Sequence, residues 1–153
     1  TKDVPVSTKT EYLLFATDRS QHSDELITPA LKRGASVISD RMGDSSLVYQ
    51  GYGRGLDINM LTTINNWAMN NRQPDIVFYL KLSAQEAYKR IAKRNEALTS
   101  FEKETEFMHT LEKGFDDLFK DRDNVITLDA LQPKDILVKA ALSYIKQWVK
   151  DNS

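Results

Sequence analysis

The stretch Asp40–Asp57 reads DRMGDSSLVYQGYGRGLD, and it decides how the rest of the chain is interpreted. It follows a short apolar run, ASVIS at 35–39, which Gly34 introduces. A short run rich in β-branched residues between turn signals predicts a buried strand. The polar stretch then falls at the carboxyl end of that strand, where open α/β sheets bind their ligands. It offers an acid, a guanidinium, two hydroxyls, a phenol and an amide: Asp40, Arg41, Ser45, Ser46, Tyr49 and Gln50. Such a set can bind a phosphate, a sugar and the edge of a base.

Composition limits the classes of protein to consider. The chain has 153 residues, of which 41% are hydrophobic and 28% charged, as expected for one globular domain. The net charge of −1 does not favour nucleic acid or an anionic membrane as a partner. No cysteine is present, and no apolar run approaches the ~18 residues of a membrane span. His22 and His109 are isolated, so we expect no zinc site. We therefore expect a soluble cytoplasmic domain that binds neither nucleic acid nor membrane.

The first half of the chain is predicted to be mostly helical outside the strand at 35–39. A helix begins near Ser7 or Thr8, with Glu11 completing a capping box with Thr8. A second helix over 23–33 ends at Gly34, which suits a left-handed C-cap. A short helix is expected through Gln50, followed by a glycine elbow. Asp57 then caps a further helix, in which the expected buried face comprises Leu61, Ile64, Trp67 and Ala68.

Two further strands are predicted in the second half of the chain. The run at 76–82 is almost continuously apolar, which predicts a strand buried on both faces. Ser83 and Glu86 form a capping box for a helix to about residue 94, and another helix is expected over 101–120. A strand at 124–128 and a helix from Pro133 follow. Strands that alternate with helices predict an α/β fold with a parallel sheet.

The stretch after the first predicted strand resembles a family signature. DRMGDSSLVYQG is similar, nearly letter for letter, to the DRY-x-x-S-S-x-A-Y-Q-G signature of bacterial thymidylate kinases. The resemblance implies a P-loop kinase-like parallel sheet flanked by helices. It also implies a homodimeric enzyme that transfers the γ-phosphoryl group of ATP to dTMP with Mg²⁺.

The resemblance assigns roles to the signature residues. It implies that Arg41 binds the acceptor phosphate. In phosphoryl-transfer enzymes an acid at the end of a strand can hold Mg²⁺ indirectly, so Asp40 is the candidate for that role, and Asp40 and Arg41 are both catalytic candidates. The resemblance also implies that Ser46 and Gln50 face the base, while Tyr49 packs on the deoxyribose; Ser45 is counted with the substrate-binding residues. Without the resemblance, Asp40 and Arg41 could equally form a surface ion pair at the end of a strand.

Phe15 and Arg19 form a second candidate group. They are spaced i and i+4, so they share one face of a helix. A phenyl ring that stacks on a flat base and a guanidinium bonded to its carbonyl would form a pyrimidine site. The alternative places Phe15 in the core and Arg19 in solvent. The segment TEYLLFATDRSQH resembles the thymidylate kinase segment that supplies these two contacts.

Arg90, Lys93 and Arg94 form a third candidate group. By similarity they belong to a lid, at about 90–101, that covers the donor phosphates, and Arg94 is a catalytic candidate. The alternative is a solvated helix end. Asp129 and Ala130 resemble the family's loop on the adenine side.

Two departures within the chain and one missing motif qualify the resemblance. Met42 replaces the tyrosine of DRY, and Ser100 stands where the lid normally has an arginine. No G-x-x-x-x-G-K-[ST] sequence occurs in the chain. We therefore expect residues 1–153 to be the C-terminal part of a thymidylate kinase-like domain, with the first strand and phosphate loop upstream of Thr1, and to be inactive alone.

Two alternative functions remain open. A deoxynucleoside kinase shares an Asp/Glu-Arg-Ser element, although Gln50 and the SSxxYQG spacing argue against it. A non-catalytic nucleotide-binding remnant would keep the acceptor site without the phosphate loop. The homodimer is expected to pair the helices at 8–20 and 57–70, with Leu61 and Trp67 offering contact surface.

Overall fold

The structure is a computed structural model that describes residues 6–93 and 105–152. The helices are α1 (Thr8–His22), α2 (Thr28–Lys32), α3 (Gly43–Ser46), α4 (Ile58–Ala68), α5 (Ala84–Lys93), α6 (Thr105–Phe119) and α7 (Lys134–Asp151). Two π-helical turns cover Ser23–Ile27 and Leu47–Tyr52, and the strands are β1 (Val77–Lys81) and β2 (Val125–Asp129). The chain divides into two compact units, Thr1–Gln73 and Pro74–Ser153, here called the first and second units. Helices around parallel strands confirm the predicted α/β class.

In the first unit, α1 begins one residue earlier than the predicted capping box requires. Ser7 is the N-cap, and its Oγ accepts a hydrogen bond from the backbone N–H of Thr10 at 3.3 Å. The capping box of Thr8 with Glu11 is therefore wrong, and the Glu11 side chain is used elsewhere. The predicted helix over 23–33 is confirmed as a π-helical turn followed by α2. Gly34 follows it with a φ of +77°, as the expected left-handed cap requires.

The strand predicted at 35–39 is not formed. These residues take part in no β ladder, and Ile38 is 90% exposed. A strand needs a neighbour to bond its backbone N–H and C=O groups, and within the described ranges no strand pairs with this run. The apolar, β-branched pattern gave the segment the composition of a strand without supplying that neighbour.

The signature stretch forms a short helix that continues as a π-helical turn. The predicted helix through Gln50 is confirmed and extends to Tyr52, with the N–H of Gly53 bonded to the carbonyl of Val48 at 2.8 Å. The chain then turns at Gly55, which has a φ of +74°. α4 begins at the predicted cap, where Oδ1 of Asp57 accepts from the N–H of Met60 at 2.8 Å.

The buried face of α4 differs from the predicted one. Leu61 and Ala68 are buried as expected, at 2% and 3% exposure. Trp67 is 77% exposed, so its assignment to the core face is wrong. The buried position between Leu61 and Ala68 is taken by Asn65, which is 2% exposed. The buried face is rotated relative to the predicted one, because at about 100° per residue Asn65 lies close to Leu61 around the helix, whereas Trp67 lies about 120° away from it.

The second unit is built on two parallel strands. β1 and β2 pair from Val77 opposite Val125 to Lys81 opposite Asp129, which confirms both predicted strands. Burial of β1 on both faces is wrong, because Leu80 is 54% exposed. Ser83 accepts from the N–H of Glu86 at 3.3 Å, as its predicted capping role requires.

The helices of the second unit pack unequally. The ring of Tyr79 lies 5.7 Å from that of Phe115 and 5.1 Å from that of Phe119, measured between ring centroids. These contacts join β1 to α6. By contrast, α7 begins after Pro133 as predicted but has no buried residue. In the part of the chain that the structure describes, no helix is long and apolar enough to cross a bilayer.

Candidate functional site

A buried polar network joins α1 to the signature stretch. Arg19 is 7% exposed and Ser46 is 4% exposed. Nη2 of Arg19 donates to Oγ of Ser46 at 2.7 Å, and Nη1 donates to Oδ1 of Asn65 at 2.7 Å. The structure therefore brings together two residues that the sequence assigned to the base site. Solvation of Arg19, the alternative considered above, is contradicted.

Asn65 is the functional candidate that sequence reasoning missed. Its Oδ1 also accepts from the hydroxyl of Tyr12 at 3.1 Å, and its Nδ2 donates to the carbonyl of Gly43 at 3.0 Å. The same Tyr12 hydroxyl donates to the carbonyl of Leu61 at 2.8 Å. One amide thus connects α1, α4 and the start of α3. In the sequence, a polar residue within the apolar repeat of α4 was the feature from which Asn65 could have been identified.

The charge of Arg19 is buried without a direct ion pair to another described residue. Among the described residues, no carboxylate lies within 4.0 Å of its guanidinium to form an ion pair. Burial lowers the pKa of Arg19 from its ordinary value, while Tyr12 and Asp18 act in the opposite direction. Burying a cation is costly, and perturbed titration in a polar cluster is typical of functional sites. Two of the five guanidinium N–H groups are engaged by Asn65 and Ser46, which leaves donors for a ligand.

A second polar contact links the same two segments. Nε2 of Gln50 donates to Oε1 of Glu11 at 2.9 Å, and Gln50 is 2% exposed. Glu11, Phe15 and Arg19 are spaced four residues apart on α1, so they lie along one stripe of the helix. The Arg19–Ser46 and Glu11–Gln50 contacts are here called the two polar rungs.

Phe15 occupies the middle of the stripe between the two rungs. Its side chain is 48% exposed, so the alternative of a core residue is contradicted. An aromatic ring with two buried polar contacts beside it on the same helix stripe is an arrangement suited to a flat ligand with a polar edge.

The remaining signature residues form a cluster of exposed Arg41 with half-buried Ser45 and Tyr49, here called the Arg41 cluster. Nε of Arg41 donates to Oγ of Ser45 at 3.1 Å, and its guanidinium lies 4.5 Å from the ring centroid of Tyr49. Arg41 adopts a φ of +65°, which is uncommon for a residue with a side chain, and its carbonyl accepts from Oγ of Ser39 at 3.1 Å. No ion pair within 4.0 Å joins Arg41 to Asp40, so the surface-pair alternative is contradicted.

Asp40 is exposed and close in sequence to this cluster. Within residues 6–93 and 105–152, no three His, Cys, Asp or Glu side chains come together as a metal site. Mg²⁺ commonly uses one or two carboxylates together with substrate phosphates and water. A single exposed carboxylate therefore fits an ion that arrives with a phosphate, and does not fit a metal held by protein alone.

In the second unit, Arg90 reaches the predicted adenine-side loop. Its Nη2 donates to the carbonyl of Ala130 at 2.9 Å. Asp129 organises the same loop, because its Oδ1 accepts from the N–H of Leu131 at 2.9 Å. That hydrogen bond is the larger cause of the lowered pKa of Asp129, and a hydrogen bond from the side chain of Gln132 lowers it further. Lys93 is exposed at the end of α5, whereas Arg94, Ser100 and most of the predicted lid lie outside the described residues.

Comparison with known proteins identifies the chain's relatives. A family model described as thymidylate kinase matches residues 1–141. A thymidylate kinase of Prochlorococcus marinus is 41% identical over 143 residues, which cover 93% of this chain and 66% of that protein. A thymidylate kinase of Lactobacillus delbrueckii is 40% identical over 144 residues, covering 92% and 68%. One from Halothermothrix orenii is 50% identical over 82 residues, covering 54% and 40%. The chain spans about two thirds of the length of the first of these relatives.

Proposed function

The chain belongs to the thymidylate kinase family, and we propose that the complete protein transfers the γ-phosphoryl group of ATP to dTMP. The observation that carries the proposal is the pair of polar rungs on either side of Phe15. Both rungs bury ligand-type side chains of the signature against α1. The parallel sheet with flanking helices agrees with a P-loop kinase-like fold.

The rungs suit the polar edge of thymine. Thymine presents carbonyl oxygens that accept hydrogen bonds and an N3–H that donates one. Arg19 supplies donors to a carbonyl, and the amide of Gln50 supplies the acceptor for N3–H. Phe15 stacks on the face of the ring, since half of its side chain is exposed. Ser46 holds Arg19 in position through the 2.7 Å hydrogen bond.

The Arg41 cluster suits the acceptor phosphate and sugar. Arg41 binds the phosphate with the two-pronged geometry that guanidinium groups offer, and Ser45 fixes its Nε. Tyr49 lies under the guanidinium and packs on the deoxyribose, where a 2′-hydroxyl is excluded by shape. Asp40 supplies the carboxylate for a Mg²⁺ ion bound to the phosphates. When bound, that ion neutralises charge on the transferring group.

The second unit supplies donor-side residues. Arg90 is held beside the Asp129–Ala130 loop, which we assign to the adenine of ATP. Arg90, Lys93 and Arg94 carry the positive charge for the donor phosphates, and Arg94 is the catalytic candidate among them. In this class of reaction the protein acts by positioning and charge stabilisation rather than by covalent chemistry. The donor and acceptor residues therefore need only hold their two substrates.

A coupled assay tests the choice of acceptor. The complete protein should turn over dTMP in preference to dCMP, dGMP and UMP. Phe15→Ala should raise the KM for dTMP and leave the melting temperature almost unchanged, because the side chain is half exposed. Equal or faster turnover of a purine monophosphate, or of thymidine in place of dTMP, would contradict the proposal.

The 153-residue chain should separate binding from turnover. It contains the acceptor residues but no G-x-x-x-x-G-K-[ST] sequence. Excess dTMP should raise its melting temperature, since a ligand at about a hundred times its Kd stabilises the native state by ~2.7 kcal/mol. ADP formation above a no-enzyme blank is expected to be absent. Turnover by this chain alone would show that the donor phosphates bind elsewhere.

We also propose a homodimer through α1 and α4. Both helices leave large apolar side chains exposed, namely Leu13, Leu14, Met60 and Trp67. Leu61 is 2% exposed and is not available for that contact. Light scattering of the complete protein should give a dimer mass at micromolar concentration, and Trp67→Glu should shift it towards the monomer. A monomer mass for the unaltered protein would contradict the dimer.

A further inference from the structure

Glu11 touches the proposed base site, although no role has been given to it. Its Oε1 accepts from Nε2 of Gln50, and the cap of α1 does not require it because Ser7 fills that position. Building on the proposed function, we propose that Glu11 is a positioning residue that fixes the Gln50 amide and thereby selects keto pyrimidines over amino pyrimidines. The evidence is the orientation that this contact imposes.

The carboxylate permits one orientation of the amide. The side chain of a glutamine can exchange its donor nitrogen and acceptor oxygen by turning over. An ionised carboxylate only accepts hydrogen bonds. With Nε2 towards Glu11 a hydrogen bond forms at 2.9 Å, whereas the reversed amide would place two oxygen atoms against each other. One N–H of Nε2 is therefore bonded to Glu11, and with the amide held in this orientation Oε1 remains as its acceptor for a ligand.

A fixed carbonyl oxygen distinguishes two classes of pyrimidine. N3 of thymine or uracil carries a hydrogen and donates it to a carbonyl oxygen. N3 of cytosine carries a lone pair, so a carbonyl oxygen facing it leaves two acceptors opposed. Gln50 is 2% exposed, and water cannot readily relieve that mismatch. Buried polar groups left unpaired are a strong source of discrimination between ligands.

A purely structural role for Glu11 gives a different expectation. If Glu11 only ties α1 to the π-helical turn, its loss should weaken dTMP and dCMP by the same factor. A role in orienting Gln50 should change the ratio between the two substrates. The ratio is therefore the quantity to measure.

Glu11→Gln in the complete protein provides the test. A glutamine at this position can donate or accept, so the Gln50 amide is free to reverse. We expect the ratio of kcat/KM for dTMP to that for dCMP to fall about tenfold to a hundredfold. Glu25→Gln is the matched control, because Glu25 accepts from Nε2 of Gln21 on an exposed part of the same unit. That control should leave the ratio unchanged.

The outcomes separate this inference from the proposed function. An unaltered protein with no preference for dTMP over dCMP would contradict the proposed function. A clear preference that Glu11→Gln leaves intact would overturn the role of Glu11 alone. If the variant loses turnover, calorimetric titration with dTMP and dCMP gives the ratio of the two Kd values, which is then compared with that of the unaltered protein. In a Gln50→Ala background, Glu11→Gln should not change the ratio further, and an additional change would also overturn the inference.

Discussion

The two units use hydrogen bonds of the same length in different surroundings. In the first unit, Arg19 bonds Asn65 at 2.7 Å, and both side chains are nearly removed from solvent. In the second unit, Lys81 bonds Asp116 at the same 2.7 Å, but their side chains are 45% and 40% exposed. Because water screens the second pair and not the first, equal distances imply unequal energies.

The first unit holds its polar side chains in a more fixed geometry than the second unit does. Three segments of the first unit converge on one buried amide, so the ligand groups are held before any ligand binds. In the second unit, the side-chain hydrogen bonds of the described residues are exposed or half-buried, and α7 has no buried residue. Preorganised groups lose less entropy on binding. The acceptor residues should therefore be the more rigid of the proposed substrate contacts.

Removing Asn65 should have the largest effect on stability. Asn65→Ala deletes bonds to Arg19, Tyr12 and Gly43 and leaves Nη1 of the buried Arg19 guanidinium without its hydrogen-bond partner. We expect the free energy of unfolding to fall by about 3–5 kcal/mol. Urea denaturation measures it. The control is Asn66→Ala, because the Asn66 side chain accepts a hydrogen bond from exposed Gln73 and its loss should change stability by less than ~0.5 kcal/mol. Similar values for the two variants would contradict the buried network.

Removing Arg41 should affect catalysis and leave stability largely intact. Arg41 contacts Ser45 and Tyr49 at an exposed position. Loss of a charge-assisted phosphate contact should lower kcat/KM for dTMP by roughly thirty- to a thousandfold, about 2–4 kcal/mol of transition-state binding. Steady-state kinetics and a melting curve on Arg41→Ala test both statements. A near-normal kcat/KM would remove Arg41 from the phosphate site.

The hydroxyls of buried Tyr12 and half-buried Tyr79 should respond differently to removal. Tyr12 makes hydrogen bonds of 2.8 and 3.1 Å inside the first unit, whereas Tyr79 makes one of 3.3 Å to half-exposed Asp116. Tyr12→Phe should cost about 1–2 kcal/mol and Tyr79→Phe about 0.5 kcal/mol or less. Equilibrium denaturation of both variants at neutral pH gives the comparison, and a larger loss for Tyr79→Phe would reverse it.

Alkaline pH should weaken the same contacts. Burial raises the pKa of Tyr12, and burial with the nearby Asp116 carboxylate raises the pKa of Tyr79. The stabilisation is complete below the ordinary tyrosine pKa of about 10 and is lost as pH rises above it, because the unfolded chain releases its protons first. Tyr12→Phe should therefore flatten the decline in unfolding free energy above pH ~10. An unchanged decline would show that Tyr12 keeps an ordinary pKa.

A small effect is also expected for the exposed ion pair of the second unit. Lys81→Ala removes the 2.7 Å contact with Asp116. Because both side chains are exposed, the change in unfolding free energy should lie within about 0–1 kcal/mol and diminish in high salt. If Lys81→Ala lowered the free energy of unfolding as much as Asn65→Ala, solvent exposure would not explain the difference between the two units.

The sequence predicted which polar side chains gather at the candidate site better than it predicted the residues that hold them in place. Arg19, Ser46 and Gln50 were identifiable as candidates because two short segments, each similar to a family segment, carry them. Asn65 was missed because its partners lie on distant segments, which no local spacing reveals. The strand predicted at 35–39 does not form for a related reason, because a strand depends on a neighbouring strand as much as on its own residues. The exposure of Trp67 likewise depends on what α4 packs against, not on its helical period.

At position 41, the residue that would best stabilise the fold differs from the residue that the proposed phosphate contact requires. The φ of +65° at Arg41 suits glycine, and most other residues adopt this conformation at a cost of about 1 kcal/mol or more. A directed-evolution screen that rewards only heat resistance should therefore recover Arg41→Gly. Such a screen would return a more robust protein from which the phosphate-binding charge had been removed. Thermostabilisation of this chain consequently needs a selection for ligand binding in the same round.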